Sequence, residues 1–144
     1  MEKTEKLKVL MVKTGELAQP MEIDNTLEAM QNAVGGMIEE YMPFDDEVAL
    51  VCNEEGKMMG LPWNRAITIH DDADEIADII AGDFFVCYAP IGSEEFLSMP
   101  DDLMQKYEEK FKLPEVFYRH RNGIDTIAIP YTPEGREVLN LDER

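Results

Sequence analysis

Glu47-Val48-Ala49-Leu50-Val51-Cys52-Asn53 decides how the chain folds, because five consecutive apolar residues sit between polar ends. A strand covered on both faces reads this way, so the run is expected at the centre of a sheet. Downstream, Glu54-Glu55-Gly56-Lys57 reads as a hairpin turn and Met58-Met59-Gly60-Leu61 as the returning strand. Pro62 would end that pairing and open a loop, Trp63-Asn64-Arg65. Upstream, Met37 to Met42 alternates loosely between apolar and acidic residues, and is either a strand or a helix continued through Gly35-Gly36.

The same reasoning extends to both ends. Leu7 to Val12 is a first strand ending at Thr14-Gly15, and Met21-Glu22-Ile23 is a short second one after Pro20. Asn25 offers an N-cap with Glu28 three residues on, and Leu27, Met30 and Val34 share one face of a helix that Gly35-Gly36 stops. Ala81-Gly82-Asp83 bends the chain into a buried strand, Phe84 to Tyr88. A second helix is announced by Ser98, Pro100, Asp101 and Asp102, carries Leu103, Tyr107 and Phe111 at four-residue spacing, and is closed by Pro114. Val116 to His120 and Ile124 to Ile129 flank Asn122-Gly123, a hairpin signal. The expectation is one α+β domain over residues 1–130, a mostly antiparallel sheet with two main helices, followed by a polar tail over 131–144.

The chain has 144 residues, 44 % of them hydrophobic, enough for one core. Cys52 and Cys87 lie in apolar runs and read as reduced, buried thiols, which fits a cytoplasmic setting. The mixed-charge N-terminus is followed by an apolar run too short for a signal peptide, and no later segment is long enough to span a membrane. Residues 14 to 105 hold 21 carboxylates against two basic side chains, Lys57 and Arg65, a formal charge of −19. Phosphate backbones and anionic membranes would be repelled by such a field, whereas a basic protein surface would be attracted. The acidity also serves solubility.

Asn53-Glu54-Glu55-Gly56-Lys57, Gly60-Leu61-Pro62-x-Asn64-Arg65-Ala66 and Ile76-x-Asp78-Ile79-Ile80-Ala81-Gly82-x-Phe84-Phe85, taken together, resemble the bacterial and phage proteins grouped as domain of unknown function 3846. The likeness runs from about Leu7 to Phe117, with Trp63 standing where a smaller aliphatic residue is expected. It implies a setting in phages and conjugative elements, some in the company of antirestriction genes, and supplies no catalytic residue.

Trp63, Asn64 and Arg65 offer a stacking face, an amide edge and a bidentate fork, a set suited to a nucleotide-like anion. The same residues serve a purely structural role if Arg65 pairs with nearby carboxylates, Asn64 caps the next segment and Trp63 plugs the core. His70-Asp71-Asp72-x-Asp74-Glu75 has hard oxygen donors but lacks the glycine and distant glutamate of a calcium loop, and reads as a solvated acidic loop. No zinc spacing is present, and adjacent acidic pairs on turns and strands point apart, so no metal, cofactor or enzymatic chemistry is expected.

Two functions follow. The first is a non-enzymatic interaction protein of a mobile element that covers a basic surface of a host protein, such as the DNA channel of a defence enzyme, with carboxylates in place of phosphates. Its contact residues would be Glu39, Glu40, Asp45, Asp46, Glu47, Asp71, Asp72, Asp74 and Glu75. The second is a small-anion binder using Asn64, Arg65 and Trp63.

Overall fold

A computed structural model describes residues 6–68 and 76–129. The apolar run after Glu47 is strand β4, Val48–Asn53, and every one of its residues is buried. It lies in a five-stranded antiparallel sheet with β1 (Lys6–Val12), β2 (Gln19–Asp24), β3 (Ile38–Tyr41) and β7 (Phe84–Tyr88), in the order β2-β1-β7-β4-β3. The two remaining pairs are β5 (Trp63–Ile67) with β6 (Asp78–Ala81), and β8 (Glu115–His120) with β9 (Gly123–Ala128). With helices α1 (Leu27–Val34) and α2 (Asp101–Phe111), this is the expected α+β class with antiparallel pairing.

Strand alternation assigns the two faces of the large sheet. Leu7, Val9, Met11, Ala49, Val51, Phe85 and Cys87 form one buried cluster with Met30 and Val34 of α1. Leu10, Val12, Val48, Leu50, Cys52, Phe84 and Val86 form the other, with Met104, Tyr107 and Phe111 of α2 and with Ile67 and Ile80 of the β5–β6 pair. Both cysteines are free and buried. Burial pushes the Cys52 thiol up to about 11 and the Cys87 thiol higher still, so neither is poised as a nucleophile.

Helix α1 starts one residue later than the capping pattern indicated. Thr26, not Asn25, is the N-cap, and its hydroxyl accepts the Ala29 N–H at 3.1 Å. Gly35 ends the helix in the left-handed conformation, φ 81°, a geometry that other residues adopt only with strain. Leu27 is largely exposed, so the buried face is carried by Met30 and Val34. The ambiguous Met37 to Met42 segment is a strand.

Three expectations are corrected. Glu54 to Lys57 is not a hairpin turn, and Met58 to Leu61 is not a strand. The Asn53 side chain takes the Glu55 N–H at 2.8 Å, and the chain then coils through Met59 N–H to Glu55 O, Gly60 N–H to Lys57 O and Leu61 N–H to Gly56 O. An asparagine that bonds its own backbone two residues on starts a turn more tightly than the glycine pattern alone suggests. Met58 and Met59 are accordingly exposed. Trp63-Asn64-Arg65 is likewise not a loop: it opens β5. The Asp71 to Glu75 segment and the 131–144 tail lie outside the described residues.

The C-terminal hairpin β8–β9 forms as expected, with His120 opposite Gly123. Among the described residues no non-glycine has positive φ, and Gly123 takes 138°, so Asn122-Gly123 is not a type I′ turn, which needs positive φ at both central residues.

The coil from Asn53 to Leu61 lies directly against β6. A Cβ on Gly56 would stand 2.6 Å from the Ala81 carbonyl oxygen, which is backbone and cannot swing away. Gly56→Ala should therefore lower stability by about 2 kcal/mol, seen as a lower urea midpoint at unchanged slope. An unchanged midpoint would mean that this coil is not held against the sheet.

Candidate functional site

The β5–β6 register slips between Trp63 and Arg65, which leaves Asn64 as the extra residue of a bulge. Side chains on a regular strand alternate between faces, and a bulge breaks that rule. Asn64 and Arg65, adjacent in sequence, are therefore both inside the protein, 1 % and 0 % exposed.

Arg65 is the largest fully buried side chain in the structure. Its Nε donates to Phe111 O at 3.0 Å, Nη2 to Glu16 O at 2.7 Å, and Nη1 to Asn64 Oδ1 at 2.8 Å and Asn64 O at 3.3 Å. Phe111 ends α2, so the guanidinium sits where helix carbonyls lack internal partners and where a cation is favoured. Asn64 completes the junction by donating Nδ2 to Val12 O and Gly82 O, both at 2.9 Å. Trp63 is half-buried, with its ring edge-on to Phe117 at 5.6 Å and the Arg119 guanidinium over it at 5.8 Å.

These three residues make a structural junction, not an open recognition loop. The expected internal role for Arg65 is met in kind, although the partners described are carbonyl oxygens and an amide, not carboxylates. Arg65→Lys keeps the charge but has one donor centre where the fork has three. A loss of about 3 kcal/mol in unfolding free energy is expected, and a loss under 1 kcal/mol would remove the junction as a keystone.

Glu115 lies beside this junction and opens β8, one residue before the strand that the apolar pattern indicates at Val116. Its Oε1 accepts the Ala66 N–H at 2.9 Å and the Thr126 hydroxyl at 3.2 Å. Burial raises its pKa above the ordinary 4.5, outweighing those hydrogen bonds and the positive charges of Arg65 and Lys110. A carboxyl with a raised folded-state pKa binds its proton more tightly in the folded protein, so its ionisation costs stability as pH rises past the unfolded value. Glu115→Gln keeps an acceptor and carries no charge. The variant should match or exceed the wild type in stability at pH 7, with its advantage shrinking as pH falls toward 4.5. A pH-independent difference in thermal midpoint would contradict this.

The acidic residues expected to meet a partner are not equivalent. Asp46 is turned inward: its Oδ2 accepts Lys106 Nζ at 2.6 Å and the Tyr107 hydroxyl at 2.7 Å, and those bonds hold its pKa below the usual carboxylate range. Glu47 accepts the Ile91 N–H at 3.1 Å. Glu39, Glu40 and Asp45 are exposed. Being adjacent on β3, Glu39 and Glu40 point to opposite faces of the sheet. Asp71, Asp72, Asp74 and Glu75 lie outside the described residues.

The fold gathers a different set around a cleft of about 240 Å³ beside β3, lined by Glu39, Tyr41 and Cys52 on one side and by residues 53–58 and 78–81 on the other. Glu54 and Glu55 join Glu39 at this cleft because the coil after β4 brings them back beside the sheet. Lys57, the basic residue there, is bound to Asp78 at 2.7 Å. Burial and then the negative charge of Asp78 raise the pKa of Tyr41. The sequence signal for this grouping was Asn53 three residues before Gly56, a capped turn mistaken for a hairpin.

A family model described as Domain of unknown function (DUF3846) matches residues 7–112. Among curated proteins and solved structures nothing matches the chain.

Proposed function

The chain belongs to the DUF3846 family, and we propose that it acts there as a non-enzymatic acidic interaction protein that binds a basic surface of another protein. The observation that carries this reading is the sorting of carboxylates by the fold. Asp46, Glu47, Asp78 and Glu115 are bonded within the protein, while Glu39, Glu40, Asp45, Glu54 and Glu55 are exposed around β3 and the cleft.

Among the described residues three lysines are engaged with carboxylates. Lys6 holds Asp24, Lys57 holds Asp78 and Lys106 holds Asp46. The outward side therefore presents surplus negative charge with little of the opposite sign to neutralise it, and such a field accelerates and orients the approach of a basic partner. The mobile-element setting implied by the resemblance extends the proposal to a host DNA-processing or defence enzyme, whose phosphate-binding groove the carboxylates would occupy. That extension rests on analogy.

The small-anion reading gains no support from the geometry, because Arg65 has its fork on the end of α2 and a ligand there would have to displace it.

The test uses the chain as bait at low and at moderate salt, with Glu39→Lys/Glu40→Lys/Asp45→Lys as the comparison. A basic protein retained by the wild type, released as salt rises and not retained by the triple variant is the expected result. Retention of the same proteins by both forms would end the acidic-surface reading, provided circular dichroism shows both folded.

A further inference from the structure

We propose that the outer edge of β3 is a docking strand, to which an extended basic segment of a partner protein adds beside Ile38–Tyr41. This inference rests on the acidic-partner reading above and specifies how that partner is held.

Strand β3 is the last strand of the large sheet, paired to β4 on one side only. Met37 O accepts the Glu54 N–H at 2.8 Å, and the register runs on through Ile38 opposite Asn53, Glu39 opposite Cys52, Glu40 opposite Val51 and Tyr41 opposite Leu50. Hydrogen-bonded and non-hydrogen-bonded pairs alternate along an antiparallel ladder. Glu39 and Tyr41 therefore turn their backbone groups to β4, and Ile38 and Glu40 turn theirs outward. Among the described residues no strand covers that row. The opposite edge of the sheet differs: β2 carries Pro20, which has no N–H to offer.

Side chains then select the occupant. Glu39 and Tyr41 border the cleft, with Glu54, Glu55 and Asp78 around it and the apolar Ile79, Ile80 and Ala81 along its wall. Met37, Met42 and Met58 are exposed beside the strand and on the coil, 61 %, 46 % and 87 % respectively, flexible apolar surface of a kind that adapts to partners. A strand laid beside β3 places alternate side chains over this cleft, where a lysine or arginine stem would contact the apolar wall and its charge the carboxylates. A second copy of the chain is disfavoured there, because Glu39 and Glu40 would face the same carboxylates and like charges across a strand pair repel.

The probe is a short fluorescein-labelled peptide of alternating lysine and threonine, compared with the same peptide N-methylated throughout, which keeps its charge and loses its backbone donors. Glu40→Pro removes an outward N–H without touching the β4 ladder, and Glu40→Gln, which loses the same charge and keeps the N–H, is its comparison. Fluorescence anisotropy should show binding by the wild type, weakened about ten-fold or more by Glu40→Pro relative to Glu40→Gln and by N-methylation. Hydrogen exchange at Ile38 and Glu40 should slow when the unmethylated peptide binds.

If Glu40→Pro binds as Glu40→Gln does and N-methylation leaves affinity unchanged while Glu39→Lys/Glu40→Lys abolishes it, charge alone holds the peptide; strand addition is overturned and the acidic reading stands. If none of these changes matters, or the wild type does not bind, both fall. Should Glu40→Pro fail to fold, the methylated peptide against the wild type decides. Exchange protection at Ile38 and Glu40 that grows with protein concentration in the absence of peptide would make the occupant a second copy and overturn the proposal.

Discussion

The buried guanidinium of Arg65 joins segments that lie far apart in the sequence. It takes the last carbonyl of α2 through Phe111, the Glu16 carbonyl after β1, and the amide of its own neighbour Asn64. Removing an arginine from water costs several kcal/mol, and this cost is met only where its donors find acceptors. Four oxygens do so here. The excess negative charge of the molecule, −18 in all, further favours a cation in the interior. With the end of α2 and the turn after β1 fixed in this way, Ala18 N–H can reach Lys112 O at 3.0 Å, and the second face of the sheet is closed.

The three sequence blocks that carry the family resemblance converge on this region. Asn53 donates its side chain to Val34 O, the end of α1, and accepts Glu55 N–H, the start of the coil. Gly56 permits the coil to touch Ala81, and Gly82, at φ 89°, leaves room for Leu61. Asn64 then bonds Gly82 O from the bulge in β5. Asn53, Gly56, Asn64, Arg65 and Gly82 are each explained by a contact inside the fold, so this part of the signature is the signature of an architecture. The exposed members of the same blocks, Glu54 and Glu55, stand on the coil that these contacts hold beside β3, so the architecture also places the acidic cleft.

The parts of the fold legible in the sequence were those in which one residue type has one physical reading. Val48 to Cys52 and Phe84 to Tyr88 are apolar without interruption, and both are central strands. Gly35 stops α1 because its backbone takes a positive φ. What was not legible depended on long-range partners. Trp63-Asn64-Arg65 is polar and follows a proline, which locally resembles a loop; only the bulge opposite Ala81 and Ile80 makes it a buried strand. Asp46 and Asp45 are indistinguishable in sequence, yet Tyr107, 61 residues away, claims one of them. The acidic cleft was illegible for the same reason, since Glu39 and Glu54 meet only because the coil returns to the sheet.

An acidic chain must hold together against its own repulsion, and the distribution of its carboxylates shows how. Those that reach inward are each matched to a particular donor: Asp46 to Lys106 and Tyr107, Asp83 to the Thr14 N–H, Glu115 to the Ala66 N–H. Those on the outer strand are matched to nothing comparable within the described residues. Exposed carboxylates are also found on β2, α1, α2 and the loop before α2, but those at Glu39, Glu40, Glu54 and Glu55 border a sheet edge whose outward amides at Ile38 and Glu40 are met by no strand among the described residues, while the other edge is blunted by proline. A charge that rejects the chain's own copies, set beside donors and acceptors that invite a strand, discriminates between partners in a way that neither feature achieves alone.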